Sequence, residues 1–204
     1  MTAVGPQGRL YSHELRPDFA EVARRNVTRW FGEAAPGWHL TVGDFAESRL
    51  DLSADAVVLD LLAPWDCLDA AASALRPGGR LVAYVATTTQ LSLLTETLRA
   101  DGRWTEPRAT ESLVRTWHLE GLAVRPDHRM IGHTAFLLVC RRLADGTTLP
   151  PRRRRPAPGA YGPDYTGPRP PDVAQAADLA VGPIATEDGT APRSTGENVP
   201  PVPD

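Results

Sequence analysis

Lysine is missing from the 204 residues, and every one of the 22 basic side chains is arginine. The formal net charge is −3, so no global positive field draws the chain to nucleic acid, and any such contact has to come from local patches. Only two cysteines are present, Cys67 and Cys140, far apart and each inside an apolar stretch. That excludes a disulfide framework and a cysteine metal site, and predicts buried thiols in a cytosolic protein. No apolar run approaches the roughly 20 residues that span a membrane, and Met1–Gly8 lacks a basic region followed by an apolar one. A cytoplasmic protein with no membrane partner and no metal is expected.

Proline is scarce through most of the chain and then abundant. Thirteen of the twenty prolines lie from Pro150 onward, mixed with glycine and the Arg152–Arg155 run. Such a segment cannot bury enough apolar surface to offset its ordering entropy. It is expected to be a disordered tail over 150–204, with the arginine run read first as a solvated linker and second as a phosphate contact. Residues 1–149, in a chain that is 42% hydrophobic, suffice for one core.

Within 1–149, short apolar runs alternate with amphipathic stretches. Strands are predicted at 9–13, 40–42, 56–59, 81–86 and 134–140, and helices at 17–31, 65–75 and 89–100. Residues 104–114 fit either a strand or an irregular segment. The alternation predicts an α/β sheet, mostly parallel and covered on both faces. In such sheets, ligands bind beyond the carboxyl ends of the strands. Glu14, Asp44 and Asp60 each stand at a predicted strand end. Alone, each also fits a loop or helix cap; together they fit the ribose and base contacts of a nucleotide-binding enzyme, dehydrogenases included. Asp60-Leu61-Leu62-Ala63-Pro64-Trp65 is more specific, because the proline ends the strand and fixes a turn that holds the carboxylate over the cleft. Arg99, Arg103, Arg108 and Arg115 could meet phosphates, although a solvated face explains them as well.

Four motifs occur in one order: Tyr11-Ser-His-Glu14-Leu-Arg16, Asp60-Leu-Leu-Ala-Pro-Trp65, Tyr84-Val-Ala-Thr-Thr-Thr-Gln90 and Gly132-His-Thr-Ala-Phe136. With Gly121–Pro126, they resemble the actinobacterial tRNA adenine(58)-N1-methyltransferases from about Val4 to Leu143. The resemblance implies a class I S-adenosylmethionine-dependent, Rossmann-like fold, S-adenosyl-L-methionine as cofactor, tRNA as substrate and a homotetramer. It implies that Glu14 binds the cofactor ribose, that Asp44 and Phe45 contact its adenine, and that Asp60 lies between its methionine part and the target base. Asp60 and Tyr84 would be catalytic, and Pro64, Trp65, Tyr84 and Gln90 would line the substrate pocket. His133 and Thr134 lie in a matching motif and receive no role.

The family also has a first strand and a glycine-rich loop, and the present sequence contains no Gly-x-Gly. The expectation is a partial catalytic domain, lacking those elements, in which a central strand's neighbours are exposed and cofactor binding is weak. The alternative is a non-catalytic remnant or RNA-binding module of the same fold. A dehydrogenase is disfavoured by the Asp60–Trp65 motif.

Overall fold

A computed structural model of the protein describes residues 2–32, 35, 37–150 and 157–169. The elements run β1 (Leu10–Glu14), α1 (Pro17–Phe31), β2 (Trp38–Val42), β3 (Ala54–Asp60), α2 (Leu68–Ala74), β4 (Leu75–Val85), α3 (Thr88–Asp101), β5 (Arg108–Thr110), β6 (Trp117–Glu120), β7 (Ala123–Pro126) and β8 (Phe136–Arg141). Short 3-10 turns at Phe45–Glu47 and Pro64–Cys67 follow β2 and β3.

The strands form three separate groups. β1 and β2 pair in parallel. β3, β4, β8 and β5 form a four-stranded sheet in that order, and β6 and β7 form a hairpin. The first link of the four-stranded sheet is parallel, but β8 runs antiparallel to both its neighbours. The expectation of a mostly parallel sheet therefore needs correction. The connection from α3 back through β5 and the 111–133 excursion returns the chain in the opposite sense. Among the described residues, no strand pairs β1 with β3.

Leu59, Leu81, Ala83, Val85, Leu138 and Cys140 line one face of this sheet and pack with Leu68, Ala71 and Ala72 of α2 and Leu94 and Leu98 of α3. Burial of such side chains is worth about 1.5–3 kcal/mol each for the larger ones. The opposite face is open: Val58 is 68% exposed, and Tyr84 and Leu137 are 41% and 43% exposed. Coverage on both faces was expected from the alternating pattern. The structure instead puts α2 and α3 together against the same face, while α1 packs on β1 and β2.

Local chemistry explains the element ends. Pro17 sits at the start of α1, where its missing N–H costs nothing. Thr87 and Gln90 form a reciprocal capping box on α3, and Gly102, at φ +76°, ends that helix. Pro77-Gly78-Gly79 lies inside the opening of β4. A Cβ on Gly79 would meet the Leu75 side chain at 2.9 Å and the Ala54 carbonyl at 3.1 Å, so glycine permits β3 to approach. The β6–β7 hairpin was not read from the sequence. It turns at Gly121, with φ +50°, and leaves Leu119, Leu122 and Val124 largely exposed.

Within the segment expected to be disordered, residues 157–169 form turns. The Tyr161 hydroxyl donates to the buried Glu96 carboxylate at 2.6 Å, and Tyr165 meets the Tyr161 ring edge-on. Two tyrosines supply the apolar surface and hydrogen bond that the proline-rich composition otherwise lacks. The Arg152–Arg155 run and residues 170–204 lie outside the described residues.

Candidate active site

The candidate side chains collect at the carboxyl ends of β1, β2, β3 and β4. Glu14 ends β1, and its Oε1 accepts the Arg16 N–H at 2.9 Å, which shapes the turn into α1. The Glu14 carbonyl accepts the Gly43 N–H at 2.9 Å, so the ends of β1 and β2 are held side by side. Asp44 caps the Phe45–Glu47 turn through its Oδ1 and the Ala46 N–H at 2.8 Å. In each carboxylate the second oxygen accepts from none of the described residues. Phe45 tilts against His13 at 5.1 Å between ring centres and packs on the main core. Burial holds the His13 imidazole below its ordinary value.

The 45–47 turn packs against α2 and the 64–67 turn, and so links β1–β2 to the four-stranded sheet. Burial, with the charges of Asp44 and Asp66 adding to it, pushes the Cys67 thiol up.

Asp60 ends β3 directly beside Tyr84 of β4, its partner in register. Its exposed carboxylate accepts from none of the described residues. Pro64 is fully buried and anchors the turn behind it, while Trp65 is half-buried against the core. Gln90 is engaged on three sides. Its Oε1 accepts from the Ala86 and Thr87 N–H groups at 3.2 and 3.1 Å, and its Nε2 donates to the Leu62 carbonyl at 3.0 Å. The side chain therefore ties the loop after β3 to the end of β4.

The structure thus brings together two groups: Glu14, Asp44 and Phe45 on one side, and Asp60, Pro64, Trp65, Tyr84 and Gln90 on the other. One residue without a role in the sequence reading also belongs here. His133 contacts the Ala86 carbonyl through Nε2 at 2.8 Å and Glu111 through Nδ1. The signal was the Gly132–Phe136 motif, but its partners are 22 and 47 residues away in sequence and no local pattern reveals them.

Two of the four arginines considered for phosphate contact are already paired. Arg99 meets Glu96 and Glu106, and Arg103 meets Asp69 and Asp101. Among the described residues, no cluster of side chains is arranged to hold a metal ion, and no helix is long and apolar enough to cross a membrane.

A helix-backed sheet with an antiparallel β8 beside β4 agrees with the class I S-adenosylmethionine-dependent methyltransferase fold, which the likeness to solved structures shows. An S-adenosylmethionine-dependent O-methyltransferase from Thermotoga maritima superposes with a TM-score of 0.63 at 29% identity, over 74% of this chain and 54% of that one. The tRNA (m1A58) methyltransferase TrmI from Aquifex aeolicus superposes with a TM-score of 0.59, over 67% of this chain and 54% of that one; at 21% identity it supports the fold alone.

Residues 1–127 match the model of the tRNA methyltransferase complex GCD14 subunit family, and the chain belongs to that family. The tRNA (adenine(58)-N(1))-methyltransferase TrmI of Thermus thermophilus is 38% identical over 141 residues, covering 69% of this chain and 54% of the relative. The tRNA (adenine(57)-N(1)/adenine(58)-N(1))-methyltransferase TrmI of Methanocaldococcus jannaschii is 30% identical over 164 residues, covering 68% and 57%. The chain spans about half the length of these relatives.

Proposed function

We propose that the protein transfers a methyl group from S-adenosyl-L-methionine to N1 of an adenine in tRNA, in the cytoplasm and as part of a homo-oligomer, a homotetramer by the family resemblance. The observation that carries this reading is the pairing of Asp60 with Tyr84 at the sheet's carboxyl end, in a chain of a tRNA methyltransferase family.

The acids present fit the ribose and adenine end of the cofactor, while no Gly-x-Gly in the sequence meets its methionine end. Glu14 and Asp44 each keep a carboxylate oxygen free for the ribose hydroxyls and the adenine amino group, and Phe45 offers an apolar ring beside them. When bound, the cofactor supplies an electrophilic methyl on a sulfonium. The rest is the work of this chain's side chains. N1 of adenine carries its lone pair at neutral pH, so no strong base is needed to create the nucleophile. The ring gains positive charge as the new bond forms. Asp60 accepts a hydrogen bond from the exocyclic amino group, which orients N1 and stabilises that charge. It can also take an amino proton as general base. Tyr84 offers a face on which the extruded base stacks. Trp65 borders it, and Pro64, expected to line the pocket, is instead buried and acts by fixing the turn behind Asp60. Gln90 borders it by holding the Leu62 carbonyl.

The test is incubation of the protein with methyl-labelled cofactor and an unmodified tRNA transcript, followed by primer extension. N1 methylation blocks base pairing, so label together with a stop at one adenine is expected. Absence of label, or label on another atom, contradicts the reading.

A further inference from the structure

Glu111 immediately follows β5 and His133 stands just before β8, so their side-chain contact closes the neck of the whole 111–133 excursion. The other ring nitrogen reaches the Ala86 carbonyl, one residue past the end of β4. Both partners are acceptors: a carboxylate and a backbone carbonyl. A neutral imidazole has a single N–H and can satisfy just one of them, whereas the imidazolium donates to both.

The contact continues inward. The Ala86 N–H donates to Gln90 Oε1, and Gln90 Nε2 donates to the Leu62 carbonyl, two residues past Asp60. A continuous run of hydrogen bonds therefore joins the neck of the excursion to the Asp60 loop, passing the strand end that carries Tyr84. We propose that Glu111 and His133 form a proton-dependent clamp that holds the carboxyl end of β4 and, through Ala86, Gln90 and Leu62, positions the Asp60 loop. His133 is a positioning residue in this scheme and touches no reacting atom. Its bearing on turnover rests on the proposed methyl transfer; its bearing on the loop does not.

The surroundings agree. The hydrogen bond to the Ala86 carbonyl, and next that to Glu111, hold the His133 imidazole above its ordinary value. From β8 the ring meets only the apolar Phe136, at 4.7 Å between centres. From β4 it meets backbone, and Glu111 is the one charge among the described residues acting on it. A raised value means that the clamp is complete at lower pH and is lost as pH rises through the value in the folded protein. One acceptor then loses its donor, and the β4 end is freed.

The experiment uses the full chain and two NMR readouts over a pH series, for the wild type and Glu111→Gln. The first is the pair of His133 ring-nitrogen shifts. The second is hydrogen exchange of the Ala86, Thr87 and Gln90 amides, corrected for intrinsic exchange. In the wild type, His133 is expected to titrate above its ordinary value of 6.5. Amide protection should fall with that titration, on the order of tenfold, as befits one hydrogen bond to a charged group. In Glu111→Gln both events should move together to lower pH. A His133 that titrates at or below its ordinary value overturns the proposal. So does amide protection that follows pH identically in both proteins. Methylation is followed in parallel, and its alkaline limb should shift to lower pH in Glu111→Gln. If no methylation occurs in either protein, the proposed function fails, while the NMR readouts still decide the clamp.

Discussion

The regions before and after Ala54 are built from the same alternation of strands and helices, yet they are packed very differently. From Leu59 onward, leucines, alanines and valines of β3, α2, β4, α3 and β8 close into one core, with many side chains at 0–4% exposure. Before it, Ala20 is the buried hydrophobic among the described residues, and Phe19, Val22 and Trp30 of α1 are 49%, 37% and 80% exposed. A two-stranded pair backed by one helix has little to bury. The candidate groups divide along the same line. Asp60, Tyr84 and Gln90 stand on the solid unit, and Glu14 and Asp44 on the thin one, fastened to the rest through the 45–47 turn. Groups that orient a reacting atom need a rigid platform; groups that grip a cofactor tolerate a softer one that orders on binding.

The largest expected effect tests the solid side. Asp60→Ala should lower methyl transfer about a hundredfold to a thousandfold, the usual cost of one well-placed electrostatic partner. Its thermal midpoint should stay unchanged, because the carboxylate accepts from none of the described residues. Melting and steady-state rates, taken on the same preparation, check both halves. A large fall in melting temperature would mean that Asp60 belongs to the packing.

Next in size is the contrast in stability. Leu81 is fully buried, so Leu81→Ala should cost about 2–5 kcal/mol in denaturant unfolding. Val22→Ala, on the exposed side of α1, should fall within about 0.5 kcal/mol of wild type. Similar costs at both sites would erase the distinction between the two regions. Hydrogen exchange should add a hierarchy, with β1 and β2 amides opening well before those of β4 and β8.

The smallest effect concerns the thiols. Burial pushes Cys140 up to about 12, with the charge of Asp101 adding to it, and burial also raises Cys67. Both should stay unlabelled by a thiol reagent at mildly alkaline pH and react at once on unfolding. The sign follows: a thiol held neutral in the folded state stabilises less and less as pH rises above its value in the unfolded chain, about 8.5. Rapid labelling of native Cys140 would show that the core around β8 opens easily.

Much of this was legible in the residues. The strand-end acids and the Pro64 turn follow from local rules of chain geometry, and the apolar runs Ala56–Leu59 and Thr134–Cys140 located two strands of the core. The Thr87–Gln90 cap was not read, because Gln90 was assigned to the substrate pocket. The antiparallel sense of β8, the open sheet face and the β6–β7 hairpin were not legible. They depend on which faces meet, and the pattern of a half-buried strand is the same whichever face a helix covers. His133 shows the same limit at the site: its motif was visible, but Glu111 and Ala86 are its partners only through the fold. For Tyr161, proline and glycine content outweighed one hydroxyl whose acceptor lies on α3.

The division of labour is tested most directly by single-turnover methylation of a tRNA transcript at saturating cofactor, in a form of the protein that also carries the family's glycine-rich loop, run beside a cofactor-binding titration for Asp60→Ala and Glu14→Ala. The predicted result is a crossover: Asp60→Ala binds cofactor nearly as wild type but transfers slowly, while Glu14→Ala binds weakly and recovers near-normal transfer once saturated. Normal transfer by saturated Asp60→Ala would contradict the account and leave Asp60 as one more cofactor contact.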